Sequence, residues 1–220
     1  MILDVGTGTG RISVPLLERG ANLVGCDLSR SMMARLRQKS PPARLAQADA
    51  ARLPFASGQF DAVLTIHVMH LVGPWRAALG EFRRVLRRRE GVYISNWNWH
   101  DENAASSRVR GYWRRRVEAH GAEWRRPGIQ SREELLEAAK AMGGRIQEVA
   151  AARFFSRLAP LEVIEGIAGR LYSDSWELPD EVFEATVREL REWAAQEYGD
   201  VTQEHDEERR FYLDVIRFDE

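Results

Sequence analysis

The chain has a single cysteine, Cys26, in 220 residues. That excludes an intrachain disulfide framework and a metal site built on several thiolates. No apolar run approaches the ~20 residues needed to span a bilayer, and the short apolar start lacks the basic flank of a secretory leader. Net charge is also scarce, at −1 overall, whereas nucleic-acid binders usually keep a basic balance. Internal repeats and low-complexity segments are missing. What remains is a soluble chain of a reducing compartment, expected in the cytoplasm, with 44% apolar residues, enough for a real core.

The most informative stretch is Met1-Ile2-Leu3-Asp4-Val5-Gly6-Thr7-Gly8-Thr9-Gly10. Apolar residues around Asp4 suit a parallel strand covered on both faces. The alternate glycines permit a sharp turn and a close ligand approach, because they carry no Cβ. A dinucleotide fingerprint needs G-x-G-x-x-G, and the position of its third glycine holds Arg11, which disfavours a nicotinamide oxidoreductase. A second strand, Leu23-Val24-Gly25-Cys26-Asp27, ends in an acid that can accept both hydroxyls of a ribose. Asp49 closes a third strand, where its carboxylate and the next backbone N–H, that of Ala50, can read an adenine edge. Together these features point to a nucleoside-containing cofactor.

The segments 2–13, 25–29, 47–55, 60–71 and 82–91 together resemble the successive motifs of class I S-adenosylmethionine-dependent methyltransferases, in the branch of the menaquinone and ubiquinone biosynthesis enzymes. The resemblance covers residues 1–97 strongly and 131–218 in outline. It implies an α/β, Rossmann-like fold with a seven-stranded, mostly parallel sheet, its last strand antiparallel, plus helical additions. It further implies that Asp4 and the loop of Gly6, Thr7, Gly8 and Gly10 hold the methionine moiety of S-adenosyl-L-methionine, Asp27 the ribose, and Asp49 with Ala50 the adenine. Leu28, Ile66 and His67 would line the adenosine and the methyl-transfer end, and S-adenosyl-L-homocysteine would be the product. Members of the family normally carry one or two helices before the first strand, so the expectation is a chain lacking those helices. They also usually read Lys-Pro-Gly-Gly where this chain has Arg88-Arg89-Glu90-Gly91, a change expected to be cosmetic.

Strands are expected at 1–5, 22–27, 43–48, 60–66 and 92–96, alternating with helices, as in a parallel sheet with crossovers. The first helix is expected over 10–19. Ser29 reads as the N-cap of the second, which ends before Pro41-Pro42. Gly73-Pro74 opens a helix carrying Trp75, Leu79 and Phe82. Ser131 with Glu134 reads as a capping box for a helix over 135–142. Strands six and seven are placed at 145–157 and 211–215, with helices near 160–171 and 179–197 between them. The reading is one domain: a cofactor-binding core over 1–97, helical substrate-side insertions at 98–130 and 158–205, and 131–157 with 206–220 completing the sheet.

Charge is unevenly distributed. Residues 160–220 hold 18 acidic against 6 basic residues, leaving the first 159 with a positive excess. Arg83, Arg84, Arg87–Arg89, Arg114–Arg116 and Arg125–Arg126 could form a nucleic-acid face. The favoured reading is that they sit at helix C-termini and face the acidic segment.

Methyl transfer is an in-line displacement, so positioning supplies much of the catalysis. A base is needed only for a protonated acceptor; His67 and His70 are the candidates, and a structural role for both is the alternative. No third ligand at metal spacing accompanies them. Trp97, Trp99, Trp113 and Trp124 crowd a polar region and could wall an acceptor pocket or simply pack, with Tyr172 and Trp176 as further candidates for that wall. Met32 and Met33 read as packing residues, one of which could touch the cofactor. Missing motifs argue against amino-methylating DNA enzymes, cytosine C5 enzymes and arsenite methylation. The expected function is transfer of a methyl group to a small-molecule O, N or C nucleophile, with a homodimer left open. The alternative is a non-catalytic or truncated protein of this fold acting in protein association.

Overall fold

Short apolar segments separated by glycine turns pair side by side, and this sets the sheet. The computed structural model describes residues 1–122 and 126–218, so Trp124 and Arg125 lie outside the described residues. Strands β1 (Ile2–Val5), β2 (Leu23–Asp27), β3 (Arg44–Gln47), β4 (Ala62–Thr65) and β5 (Val92–His100) pair in parallel through β3-β2-β1-β4-β5. Strands β6 (Gly144–Leu158) and β7 (His205–Phe218) complete the order β3-β2-β1-β4-β5-β7-β6, with β7 antiparallel to β5. This is the Rossmann-like methyltransferase arrangement expected from the sequence.

The helices are α1 (Ser13–Glu18), α2 (Arg30–Lys39), α3 (Trp75–Val85), α4 (Ala105–Ala119), α5 (Arg132–Ala141), α6 (Pro160–Ala168) and α7 (Asp180–Tyr198). Ser29 caps α2 by accepting the Met32 N–H. Ser131 caps α5 through the Glu134 N–H, but the Glu134 carboxylate takes the N–H of Gln130, one residue before the cap. The reciprocal half of the predicted capping box is therefore displaced by one residue. Helix α1 begins three residues later than predicted, because residues 6–12 are spent on the loop. Its Pro15 falls in the first turn, where an N–H has no helical partner anyway.

Two strands outrun the sequence reading. β5 continues past Asn96 to His100, and β7 begins at His205 rather than 211. In the added stretch of β7, Glu208 pairs with Arg153 of β6 at 2.7 Å and with Arg210 at 2.6 Å. Cross-strand pairs of this kind stabilise an exposed sheet surface.

The chain divides into two compact units. The first comprises Met1–Trp97, Pro127–Ala150 and Tyr212–Glu220. Its core gathers Leu3 and Val5 of β1, Val63 of β4, Phe82 of α3, Tyr93 of β5, Leu135 of α5 and Ile216 of β7. The second comprises Asn98–Arg126 and Ala151–Phe211. There Val109, Trp113 and Val117 of α4 pack on Val163, Ile164 and Ile167 of α6 and on Phe183, Val187 and Leu190 of α7. Arg108 pairs with Glu197, while Arg116 and His120 both reach Glu189, at 2.5 and 2.9 Å. The basic face of α4 thus meets the acidic face of α7, whereas Arg84 and Arg87 pair with Glu81 and Asp61, outside the acidic C-terminal segment. Among the described residues no helix is long and apolar enough to cross a membrane.

The turn at 88–91 is not a neutral variation. Arg89 sits at φ +66°, left-handed backbone that costs a residue with a Cβ about 1–2 kcal/mol. Arg89→Gly removes that cost against a smaller loss of chain entropy. It is expected to raise stability by roughly 0.5–1 kcal/mol in urea unfolding, with an unchanged m-value.

Candidate functional site

The loop after β1 is held from below by strand β2. The Gly6 and Thr7 N–H groups both donate to the Cys26 carbonyl, at 2.8 and 3.0 Å. Gly6, Gly8 and Gly10 have φ of +71°, +55° and +89°. At Gly6 no other residue fits, since a Cβ there would collide with the Val68 side chain. At Gly10 a Cβ would lie 2.7 Å from Val14 and 2.8 Å from Leu36. Gly8 differs: the Gly6 carbonyl oxygen and the Met32 sulfur would each lie 3.9 Å from a Cβ there, an ordinary contact rather than a clash.

Three acids meet this loop in different ways. Asp4 is 2% exposed, and its Oδ2 accepts the Ser13 hydroxyl at 2.5 Å, which in turn lies 2.6 Å from the Thr7 hydroxyl. Burial raises its pKa above the ordinary carboxylate value; the Ser13 and Thr7 hydrogen bonds oppose this, and the Asp27 charge adds to it. Asp27 ends β2 with Oδ2 accepting the Gly8 N–H and Oδ1 accepting the Ser29 N–H, both at 2.8 Å. Each oxygen keeps acceptor capacity for a further donor. Asp49 is exposed, and its Oδ1 takes the Ala51 N–H at 2.9 Å, closing a turn that presents Ala50. Leu28 stands 69% exposed beside Asp27, and Met32 is also open, whereas Met33 is buried. The structure thus buries one of the two methionines and exposes the other.

Ile66 is half-buried just past β4. His67 takes a left-handed φ of +58°. Its N–H donates to Asn96 Oδ1 at 2.8 Å, and its Nε2 lies 3.3 Å from Asn96 Nδ2. Such backbone outliers in non-glycine residues cost about 1–3 kcal/mol and persist where neighbours enforce them. His70 lies in a 3-10 turn, Met69–Leu71, whose His70 and Met69 carbonyls accept the N–H groups of Gly128 and Ile129 at 3.0 and 3.2 Å. A Cβ at Gly128 would collide with the Met69 carbonyl. Trp97, on β5, stacks on Tyr212 at 4.2 Å, with the Arg132 guanidinium 4.5 Å from its ring centre. Arg132 is fixed by Asp214 at 2.5 Å and Glu148 at 2.7 Å.

The first unit therefore gathers Asp4, Gly6, Thr7, Gly8, Gly10, Asp27, Leu28, Asp49, Ala50, Ile66, His67, His70 and Trp97. Trp99 and Trp113 belong to the second unit. Trp99 lies 4.5 Å from the Arg210 guanidinium, and Trp113 is 1% exposed with its indole N–H on Thr186 at 3.2 Å, inside that unit's core. Tyr172 and Trp176 belong there too. Tyr172 lies under the Arg110 guanidinium, and the exposed Trp176 donates its indole N–H to the Arg170 carbonyl at 2.9 Å. Sequence reasoning missed Ser13, Val68 and Asn96. Only Ser13 had a legible cue, a hydroxyl at the start of the helix after the loop. Among the described residues no group of three His, Cys, Asp or Glu could hold a metal ion.

Two outcomes are expected. Gly6→Ala should destabilise by about 1–3 kcal/mol, and adding Val68→Ala should recover part of the loss by clearing the clash; melts of the double-mutant cycle measure both. The Asp4 pKa is raised on folding, so its stabilising contribution is full below the unfolded value and falls as pH rises through the folded one. Asp4→Asn removes that dependence. The melting temperature of the variant, relative to the unmodified protein, should therefore rise between pH 4 and pH 7.

Residues 3–94 match the family described as "Methyltransferase domain". A demethylmenaquinone methyltransferase of Beutenbergia cavernae is 41% identical over 86 residues, which cover 39% of this chain and 36% of that protein. The chain thus spans little more than a third of that relative's length. Among solved structures, the YcgJ protein of Bacillus subtilis superposes with a TM-score of 0.63 at 16% identity, covering 100% of this chain and 92% of that one. A phosphoethanolamine N-methyltransferase of Haemonchus contortus, in complex with S-adenosylhomocysteine, gives 0.52 at 17% identity, covering 100% and 48%. Both likenesses concern the fold alone. Over residues 3–94 the chain is thus similar to methyltransferase domains, the demethylmenaquinone methyltransferases among them, and its strand order is that of the Rossmann-like methyltransferase fold.

Proposed function

We propose that this protein is an S-adenosylmethionine-dependent methyltransferase of the cytoplasm acting on a small-molecule O, N or C nucleophile. The observation that carries the reading is the clasp at Asp27, whose carboxylate fixes the Gly8 N–H at 2.8 Å while keeping acceptor capacity toward a ribose. The exposed Leu28 and Met32 and the Ala50 turn suit an adenosine beside it.

In this reading Asp4 and the loop at 6–10 hold the methionine end, Asp27 the ribose hydroxyls, and Asp49 with Ala50 the adenine. When bound, the cofactor supplies a methyl group activated on a sulfonium. The chain then needs chiefly to hold the acceptor in line and keep water out, since positioning alone can contribute several orders of magnitude. His67 and His70 follow β4, at the carboxyl end of the sheet where ligands bind in such folds. Either could take a proton from an acceptor that carries one at working pH. Asn96 orients His67, which would then meet the acceptor at a fixed angle.

Calorimetric titration of the protein with S-adenosylmethionine and S-adenosylhomocysteine tests the proposal. Saturable binding is expected, weakened about 10–100-fold in Asp27→Ala, the range for losing hydrogen bonds to a charged group. A melting curve run alongside confirms that the variant is folded. No binding by the folded, unmodified protein would overturn the reading.

A further inference from the structure

Strand β6 stands last in the strand order, so of the described strands β7 alone pairs with it. Within the second unit β6 contributes Ala151–Leu158. The outer edge of this stretch carries backbone N–H and C=O groups that β7 does not reach. Among the described residues no backbone hydrogen bond from a loop or helix meets them. The side chains are open as well. Ala151 to Phe155 are all exposed, Phe154 at 48% and Phe155 at 67%. Successive strand residues point to opposite faces, so each face of the stretch shows one bare phenyl ring.

Proteins ordinarily blunt such an edge with proline, lysine, a bulge or a covering element. Ala151-Ala152-Arg153-Phe154-Phe155-Ser156-Arg157-Leu158 contains no proline, glycine or lysine. Its two arginines do not guard it by charge, because acids on the β7 side match them. Arg153 lies 2.7 Å from Glu208, and Arg157 lies 3.3 Å from Asp206 and 3.6 Å from Glu204. Ser156 accepts the Arg209 guanidinium at 3.0 Å. The polar side chains are thus engaged from β7, while the phenyl rings and the outer backbone groups are left to solvent. A row of unpaired backbone groups flanked by apolar side chains is a template for another strand.

We propose that this strand is β6 of a second copy, paired antiparallel about a twofold axis at Phe154, so that the protein is a homodimer. The stretch is complementary to itself in that register. Phe154 faces Phe154 of the other copy, Arg153 faces its Phe155, Ala152 its Ser156 and Ala151 its Arg157. A guanidinium beside a phenyl ring is the contact that Arg153 already makes with Phe155 of its own chain, at 5.7 Å. Centring the pair on Arg153 sets that arginine opposite itself, and centring it on Phe155 sets Arg153 opposite Arg157. Like charges directly opposed across strands are unfavourable. An unrelated chain would have to match both the backbone groups and this side-chain pattern, which a second copy does by symmetry. The pairing is independent of the methyl-transfer reading.

The test is sedimentation velocity on the full chain without methyl donor. A shift from one chain to two is expected across about 1–100 μM, the weak end of the range for specific interfaces. Phe154→Lys sets two cations opposite each other at the axis and should raise the dissociation constant at least about 100-fold. Phe154→Glu should do the same with two anions. Mixed in equal amounts, the two variants should dimerise again, because position 154 faces itself. Circular dichroism establishes that each variant is folded. Arg88→Gln, at an exposed position of the first unit, should dimerise as the unmodified chain does. A folded, unmodified chain that stays monomeric throughout would overturn the proposal, as would a dimer that survives Phe154→Lys. So would failure of the mixed variants to reassociate, since that denies the register. Assemblies larger than two chains and insensitive to position 154 would place the contact elsewhere and overturn it too. Methyl-donor binding plays no part in the readout, so every arm stays readable if that binding is absent.

Discussion

The Asp27 carboxylate accepts backbone N–H groups from two different connections, Gly8 of the loop after β1 and Ser29 at the start of α2. One side chain thereby fixes the distance between the glycine loop and the next helix. The loop, in turn, hangs on the Cys26 carbonyl through Gly6 and Thr7. Hydrogen bonds to a charged acceptor contribute about 1.5–3 kcal/mol each. Two of them on one short carboxylate set the loop's conformation more firmly than glycine-rich sequence could alone. The positive φ values at Gly6, Gly8 and Gly10 are the backbone's response to that pinning.

Around this clasp the first unit is arranged in layers of decreasing rigidity. Beneath it lies a hydroxyl relay, Thr7 to Ser13 to Asp4, with no appreciable exposure to water. Beside it, the segment after β4 is shaped from two directions: Asn96 holds His67 in left-handed backbone, and the N–H groups of Gly128 and Ile129 hold the turn containing His70. Above it stand apolar side chains with little to pack against, Leu28 and Met32. The rigid layers are those on which a bound nucleoside would depend for position, and the loose one is where it would bury surface.

Most of this was legible because it rests on short-range rules. Glycine spacing and an acid at each strand end announce a loop and its partners, and Ser29 announces a cap, since each acts within a few residues of itself. The residues that escaped notice act at a distance. Asn96 reads as a polar residue ending β5, and its meaning appears only when parallel pairing sets Ser95 beside Thr65 and so brings Asn96 near His67. Val68 reads as one more apolar side chain until the fold carries it against Gly6. The apolar run Phe211–Val215 marks only the middle of β7, which extends from His205 to Phe218. Local hydropathy could not anticipate that Arg153 and Ser156 lie across from it, bonded to Glu208 and Arg209. Arg89 shows the converse, a sequence change that looks harmless until its backbone angle is known.

Cys26 sits in β2 immediately before the clasp, 1% exposed, and burial pushes its thiol up to about 12. A thiol in that state is almost entirely protonated at physiological pH, and the nucleophile in oxidation or alkylation is the thiolate. The strand that carries the loop is therefore chemically silent for as long as it stays closed. Because the chain has no other sulfhydryl, a thiol modification by a thiol-selective reagent dates from a moment when β2 had opened. Cys26 thus reports the local opening of β2, read as the rate at which the thiol is modified.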